Sequence, residues 1–170
     1  MSKALMVVAH HDFRDEEYEI PRGILEGGGV EVKVASSGEH ATGKFGLKVD
    51  PDYLFGNHIP LQEFDAIVFV GGPGAREYFT NHDALDLVRK AIYEDKVLAA
   101  ICIAPSILAN AGVLAGHKAT CFPEEQYNLE DKGAFYTGRL VERDKKIITG
   151  NGPQASEEFG KLILKAISEQ

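Results

Sequence analysis

Cysteine is scarce in this chain, with only Cys102 and Cys121 in 170 residues. The two form no C-x-x-C pair and show no zinc-ligand spacing. That argues against a disulfide framework or a metal site, and a reduced cytoplasmic setting is expected. Basic charge is also in deficit. Lys and Arg number 18 against 26 Asp and Glu, for a formal charge of −8, which argues against nucleic acid and anionic membrane as partners. Long apolar runs are missing, because the longest is broken by Pro105, Ser106 and Asn110, so no membrane span is expected. The run at the start is too short for a signal peptide and meets charge at once. Internal repeats and low-complexity linkers are absent as well. Residues 1–170 therefore read as one domain, long enough to bury a full core, with the 44% hydrophobic and 26% charged content of a globular protein.

What is present is an alternation of short apolar runs and amphipathic stretches. Ala4–Ala9, 65–70 and Val97–Ile101 read as strands buried on both faces, and 30–34 alternates as a strand with one face exposed. Helices are expected over 15–27 (with Ile20, Ile24 and Leu25 at helical spacing), 83–94 (with Leu85, Val88 and Ile92 inward), from about 104 to 110, and 156–168. Residues 37–63 are the least regular, with a small hairpin over 42–49 and an ordered loop over 50–60. A short strand is expected over 117–121, a polar helix or turn over 123–131, and a hairpin around Asp144-Lys145. The alternation predicts an α/β sandwich on a mostly parallel sheet.

Within this pattern Cys102 stands out. It sits between a buried strand and a helix that Pro105 suits, with Ala100 and Ala104 on either side. Small neighbours let strand and helix approach closely, as in a nucleophile elbow, and a helix N-terminus beneath the sulfur would favour thiolate. A buried structural cysteine is the plain alternative, and it is the preferred reading of Cys121. Ligands of such sheets lie at the carboxyl ends of the strands. That edge would gather His10, His11, the glycine pair Gly71-Gly72 and Cys102. The Gly72 and Ile103 N–H groups are candidate oxyanion donors. His10 and His11 could fold over the cysteine or merely cap a loop, and with Asp12 they make only a weak metal-ligand run. Arg76 could hold a substrate carboxylate or pair with Glu77 or a nearby acid.

The segments Leu5-Met6-Val7-Val8-Ala9, 15–21, 66–72, 99–105 and Thr149-Gly150-Asn151-Gly152-Pro153, in this order, resemble the ThiJ/PfpI superfamily. That superfamily includes the parkinsonism-associated protein deglycase and the PfpI-type intracellular proteases. The resemblance covers essentially the whole chain. It implies a flavodoxin-like three-layer sandwich, a reactive elbow cysteine at Cys102, and a carboxylate hydrogen-bonded to it. That carboxylate is the glutamate four residues before a proline, here Glu17 before Pro21. A protonated Glu17 would donate to sulfur and favour thiolate, whereas an ionised one would repel it. Glu16 and Glu19 are the competitors, with helix N-terminal charge as their plain role. The resemblance also likens Asn151-Gly152-Pro153 to a loop that reaches across a dimer.

Two departures from the family pattern bear on activity. The proteases carry histidine directly after the cysteine, where this chain has Ile103. The deglycase branch carries one in the strand after the elbow helix, where this chain has Phe122. Cofactor-free glyoxalase- or deglycase-like chemistry on small reactive carbonyls, in stress defence, is therefore expected ahead of a cysteine peptidase or amidase acting on peptides. A redox-sensing or holdase-like stress protein is the non-enzymatic alternative. No cofactor is implied. The aromatics Phe45, Tyr53 and Phe55 have no obvious core role, which suggests either a second packed cluster or an interface, and a homodimer or higher oligomer through the first helix and residues 41–56 is expected.

Overall fold

The computed structural model describes residues 1–170. In chain order its first half comprises β1 (Lys3–Val7), β2 (His11–Phe13), α1 (Asp15–Gly27), β3 (Glu31–Ser36), β4 (Ala41–Gly43), β5 (Lys48–Val49), β6 (Tyr53–Leu54), β7 (Ala66–Phe69) and α2 (His82–Tyr93). The second half comprises β8 (Val97–Ile101), α3 (Pro105–Asn110), β9 (Lys118–Ala119), α4 (Gln126–Asp131), β10 (Phe135–Tyr136), β11 (Val141–Asp144), β12 (Ile147–Gly150) and α5 (Ser156–Ser168).

A seven-stranded sheet runs in the order β11-β12-β8-β7-β1-β3-β6. Every pairing in it is parallel except β11 with β12, the hairpin whose turn puts Lys145 at φ +57°. The three central strands β1, β7 and β8 are the continuous apolar runs of the sequence. A strand in the middle of a doubly covered sheet has no solvent face to fill with polar residues. Helices α1 and α5 pack together on one face, and α2 and α3 cover the other. The α1–α5 contact is close because residue 160 is glycine. A Cβ there would stand 3.0 Å from both Ile24 Cδ1 and the Pro21 Cα. This is the α/β sandwich that the alternation predicts, in the flavodoxin-like form that the resemblance implies. No helix is long and apolar enough to cross a membrane.

Several local expectations are corrected. Ile20 and Ile92 point outward, 41% and 39% exposed, while Leu25, Leu87, Val88 and Ala91 fill the inner stripes. The loop over 50–60 contributes β6, which pairs with β3 at the sheet edge. Tyr53 and Phe55 are not stranded aromatics. They pack against the core, with ring centroids 6.1 Å from Phe64 and 5.3 Å from Tyr78 respectively. The strand expected over 117–121 shrinks to β9, which pairs with β10 outside the main sheet.

Candidate active site

The order in which strands are added to the sheet reverses at β1. The chain first builds outward through β3 and β6, then returns to β7 on the other side and proceeds to β8. A crevice forms where neighbouring connections leave in opposite directions. A cleft of about 170 Å³ lies there, floored by Glu17, Gly72, Cys102 and Ile103 and rimmed by Arg14, Lys44, Pro73, Arg76, Phe122, Glu124 and Pro153.

Cys102 follows β8 directly and holds φ at +65°, a left-handed conformation uncommon for a residue with a side chain. Three bonds impose it. The Cys102 N–H donates to Gly150 O at 2.9 Å, the Phe122 N–H donates to Cys102 O at 2.8 Å, and the Ala104 N–H donates to Ile101 O at 3.0 Å. The chain then enters α3 at Pro105, whose missing N–H costs nothing in a first turn. Cys102 is 8% exposed, and Cys121 is completely buried as a small core residue, outside the cleft.

Glu17 comes from the first turn of α1 and is fully buried. Pro21, four residues on, withdraws the N–H that would otherwise bond the Glu17 carbonyl. Neither carboxyl oxygen has a full hydrogen bond, and the polar groups beside it are the Cys102 thiol and the Gly71 N–H. Burial pushes the Glu17 carboxyl up to about 8, against the opposing pull of Cys102, the Arg14 charge and the Gly71 N–H. It is therefore protonated at neutral pH and can donate. Glycine at 71 is required here, since a Cβ would lie 2.5 Å from Glu17 Oε1 and from Ile101 O.

The sulfur departs from expectation. Burial, and then the charge of an ionised Glu17, push the Cys102 thiol up to about 12, although the Gly72 and Ile103 N–H groups act on it in the opposite sense. The helix beneath it spans six residues and starts three residues later, so desolvation outweighs its field. Gly72 and Ile103 are brought to the sulfur as the sequence suggested, with Gly72 at φ +104°.

The histidines are not brought there. His10 Nδ1 lies 2.9 Å from Glu77 Oε2 and 3.1 Å from Ser37 Oγ, with the His11 ring 4.2 Å away, and neither ring lines the cleft. Glu77 is thus occupied, and Arg76 pairs instead with Glu124 at 2.6 Å. Pro153 lines the cleft of its own chain. Asn151 stands behind it, with its N–H on Leu140 O and its side-chain oxygen buried and unpartnered. Glu16 and Glu19 line no part of the cleft, and Glu16 is held by Arg14. Sequence reading missed Arg14, Lys44 and Glu124 as cleft residues. Arg14 stands directly before the acidic run, which was the one available signal. The other two lie on connections that no periodicity places.

Comparison with known proteins agrees with the fold. Residues 2–166 match the model of the DJ-1/PfpI family. An uncharacterized protein of Methanocaldococcus jannaschii is 39% identical over 99% of this chain and 83% of its own length. A deglycase of Pyrococcus horikoshii is 34% identical over 95% of this chain and 99% of its own. The crystal structure of a ThiJ/PfpI domain protein from Brachyspira murdochii superposes with a TM-score of 0.96 at 30% identity, covering 99% of this chain and 97% of that one. Drosophila melanogaster DJ-1beta superposes at 0.90 with 28% identity, covering 100% of this chain and 92% of its own. The chain belongs to the DJ-1/PfpI family.

Proposed function

We propose that this protein is a cofactor-free, deglycase- or glyoxalase-like enzyme acting on small reactive carbonyl compounds, with Cys102 as nucleophile and Glu17 as proton carrier. The observation that carries the reading is the buried, unpartnered carboxyl of Glu17, which burial biases toward its protonated form, beside a thiol held at positive φ in the floor of the cleft. Several relatives are named deglycases, including those of Pyrococcus horikoshii and Pyrococcus furiosus.

A protonated carboxyl can serve both ends of an addition. As sulfur bonds to the aldehyde carbon, one Glu17 oxygen takes the thiol proton while the other delivers its own to the carbonyl oxygen. The thiol therefore need not ionise before it attacks, which suits a sulfur that burial keeps protonated. The Gly72 and Ile103 N–H groups steady negative charge at the same centre. In a 2-oxoaldehyde adduct the same exchange gives an enediol, one Glu17 oxygen taking the C1 proton as the other protonates the C2 carbonyl oxygen. Glu17 then takes the C1 hydroxyl proton as its own passes to C2, and water hydrolyses the resulting thioester to a 2-hydroxy acid and restores the thiol. Peptide cleavage is disfavoured. Ile103 cannot serve as the base of a Cys–His pair, both candidate histidines lie outside the cleft, and a thiol that burial keeps protonated is a weak nucleophile toward an unactivated amide.

The test is turnover of methylglyoxal and of its adducts with amines and thiols by wild type, Cys102→Ser and Glu17→Gln. Wild type is expected to form the 2-hydroxy acid, and both variants to lose at least about a hundredfold in kcat/KM. Cys102 oxidation by mild peroxide without any turnover would replace this reading with that of a redox sensor.

A further inference from the structure

The chain is acidic as a whole, yet the rim of its cleft is basic. Three cations, Arg14, Lys44 and Arg76, line it against the carboxyls of Glu17 and Glu124. The cations differ in what they have left to give. Arg76 has one Nη2 bond to Glu124, itself a cleft residue. Arg14 gives Nε and Nη2 to Glu16, at 3.0 Å and 2.9 Å, and keeps Nη1 without a partner. Lys44 has no carboxylate at all, and its Nζ lies 5.9 Å from the centroid of the Phe45 ring.

Neither free group is carried on a loose backbone. Arg14 caps α1 with its own N–H on Gly71 O at 2.8 Å, and its guanidinium lies over the Phe45 ring at 4.9 Å. Lys44 rides on the β4–β5 turn, pinned by the buried carboxylate of Asp15, which accepts from the Phe45 N–H at 3.0 Å and the Leu47 N–H at 2.9 Å. The Lys44 N–H itself donates to Phe13 O at 2.9 Å. The fold thus holds an unpaired ammonium and an unused guanidinium edge at the mouth of a cleft whose floor is Cys102. Donors carried on a held backbone and short of acceptors match a small anion.

We infer that the cleft selects small carbonyl compounds that carry an anionic group, a carboxylate or a phosphate, with Lys44 and the Nη1 edge of Arg14 as the specificity-determining contacts. The inference rests on the reading of Cys102 as the reacting group. It adds that the substrate's negative end faces the Lys44 turn while its carbonyl carbon reaches the sulfur. A cleft of about 170 Å³ restricts such compounds to a few carbons. Arg14 also lies close enough to feel charge on both Glu17 and Cys102, so an anion bound there is adjacent to the reacting atoms.

Two alkylating reagents that differ only in charge test this. Iodoacetate and iodoacetamide both form an S–C bond at Cys102, release iodide and leave the thiol proton to solvent. The ratio of their rates therefore reports the anion preference of the cleft and cancels the intrinsic reactivity of the sulfur. Lys44→Glu is expected to lower the iodoacetate to iodoacetamide ratio about tenfold at low salt, and Lys44→Gln or Arg14→Gln about threefold, with the differences shrinking as salt is added. An unchanged ratio in all three variants overturns the inference.

A second arm does not depend on the sulfur. Calorimetric titration of Cys102→Ser with glyoxylate, glyceraldehyde 3-phosphate and neutral glyoxal should show the anionic compounds binding at least about tenfold tighter, and Lys44→Glu should remove that advantage. The tighter anion identifies carboxylate or phosphate. Equal binding of all three overturns the inference, even where Cys102 proves reactive. Failure of both reagents to label Cys102, with anion binding intact, overturns only the role given to the sulfur.

Discussion

At the residue scale, Glu17 carries the largest energetic consequence. A carboxyl that ionises near pH 4.5 in the unfolded chain and near 8 in the fold keeps its proton in the native state while the unfolded chain releases it. The stability this provides is fully present below about pH 4.5 and is lost as pH rises toward 8. Denaturant unfolding should therefore show wild type weakening between these limits by on the order of 3–4 kcal/mol, while Glu17→Gln stays nearly level and overtakes it at pH 8. A wild-type profile no steeper than that of the variant would contradict the assignment. Cys102 and Cys121 share a raised ionisation for the same first reason, burial. They differ in access, since Cys102 opens to the cleft and Cys121 to nothing. Iodoacetamide should label Cys102 first in the folded protein, and Cys121 only on unfolding. Equal labelling would remove Cys102 from its special position.

At the scale of elements, the site depends on how closely three backbones meet. The segment after β7, the turn after β8 and the first turn of α1 converge on Gly71, where a methyl group would stand 2.6 Å from Cys102 Cβ as well as against Glu17. Gly71→Ala should cost about 1–3 kcal/mol through overpacking and abolish the preference for Cys102 over Cys121 in labelling. The β4–β5 hairpin depends in turn on Asp15. Removing this buried acceptor in Asp15→Ala leaves the Phe45 and Leu47 N–H groups unpaired, at a cost of about 1–3 kcal/mol. Hydrogen exchange at these amides should quicken while the amides of β1 stay protected. Protection of Phe45 and Leu47 equal to wild type would show that the turn is held by other means.

At the scale of the whole molecule, the core takes in two of the three aromatics that the sequence left without a role and omits Phe45. Tyr53 and Phe55 are packed, but Phe45 remains 63% exposed beside the cleft, and Ile20 on α1 is exposed as well. These are the two regions through which the sequence suggested association, and apolar side chains left in water favour an interface. A homodimer that covers Phe45 and Ile20 while leaving the Lys44 ammonium on the cleft is accordingly expected at micromolar concentration. Phe45→Glu should shift sedimentation toward monomer with little loss in thermal stability, because the side chain contributes almost nothing to the core of its own chain. A monomeric wild type would refute this.

Much of the architecture was legible because it is local. An apolar run such as Val97–Ile101 can be buried on both faces in only a few ways, and the small residues around Cys102 already describe a tight strand-to-helix turn. The hairpin at Lys145 and the amphipathic stripe of α5 follow from the same local chemistry. The tertiary structure decided whatever depends on which distant segments meet. That Glu77 claims His10, that Glu124 claims Arg76, and that Lys44 reaches the mouth of the cleft depend on backbone paths far apart in the chain. No periodicity encodes those paths. The same holds for the ionisation of Cys102. A helix N-terminus and donor N–H groups can be anticipated from the strand-turn-helix pattern. The desolvation that outweighs them exists only once the sheet, α1 and the turns around the cleft have closed over the sulfur.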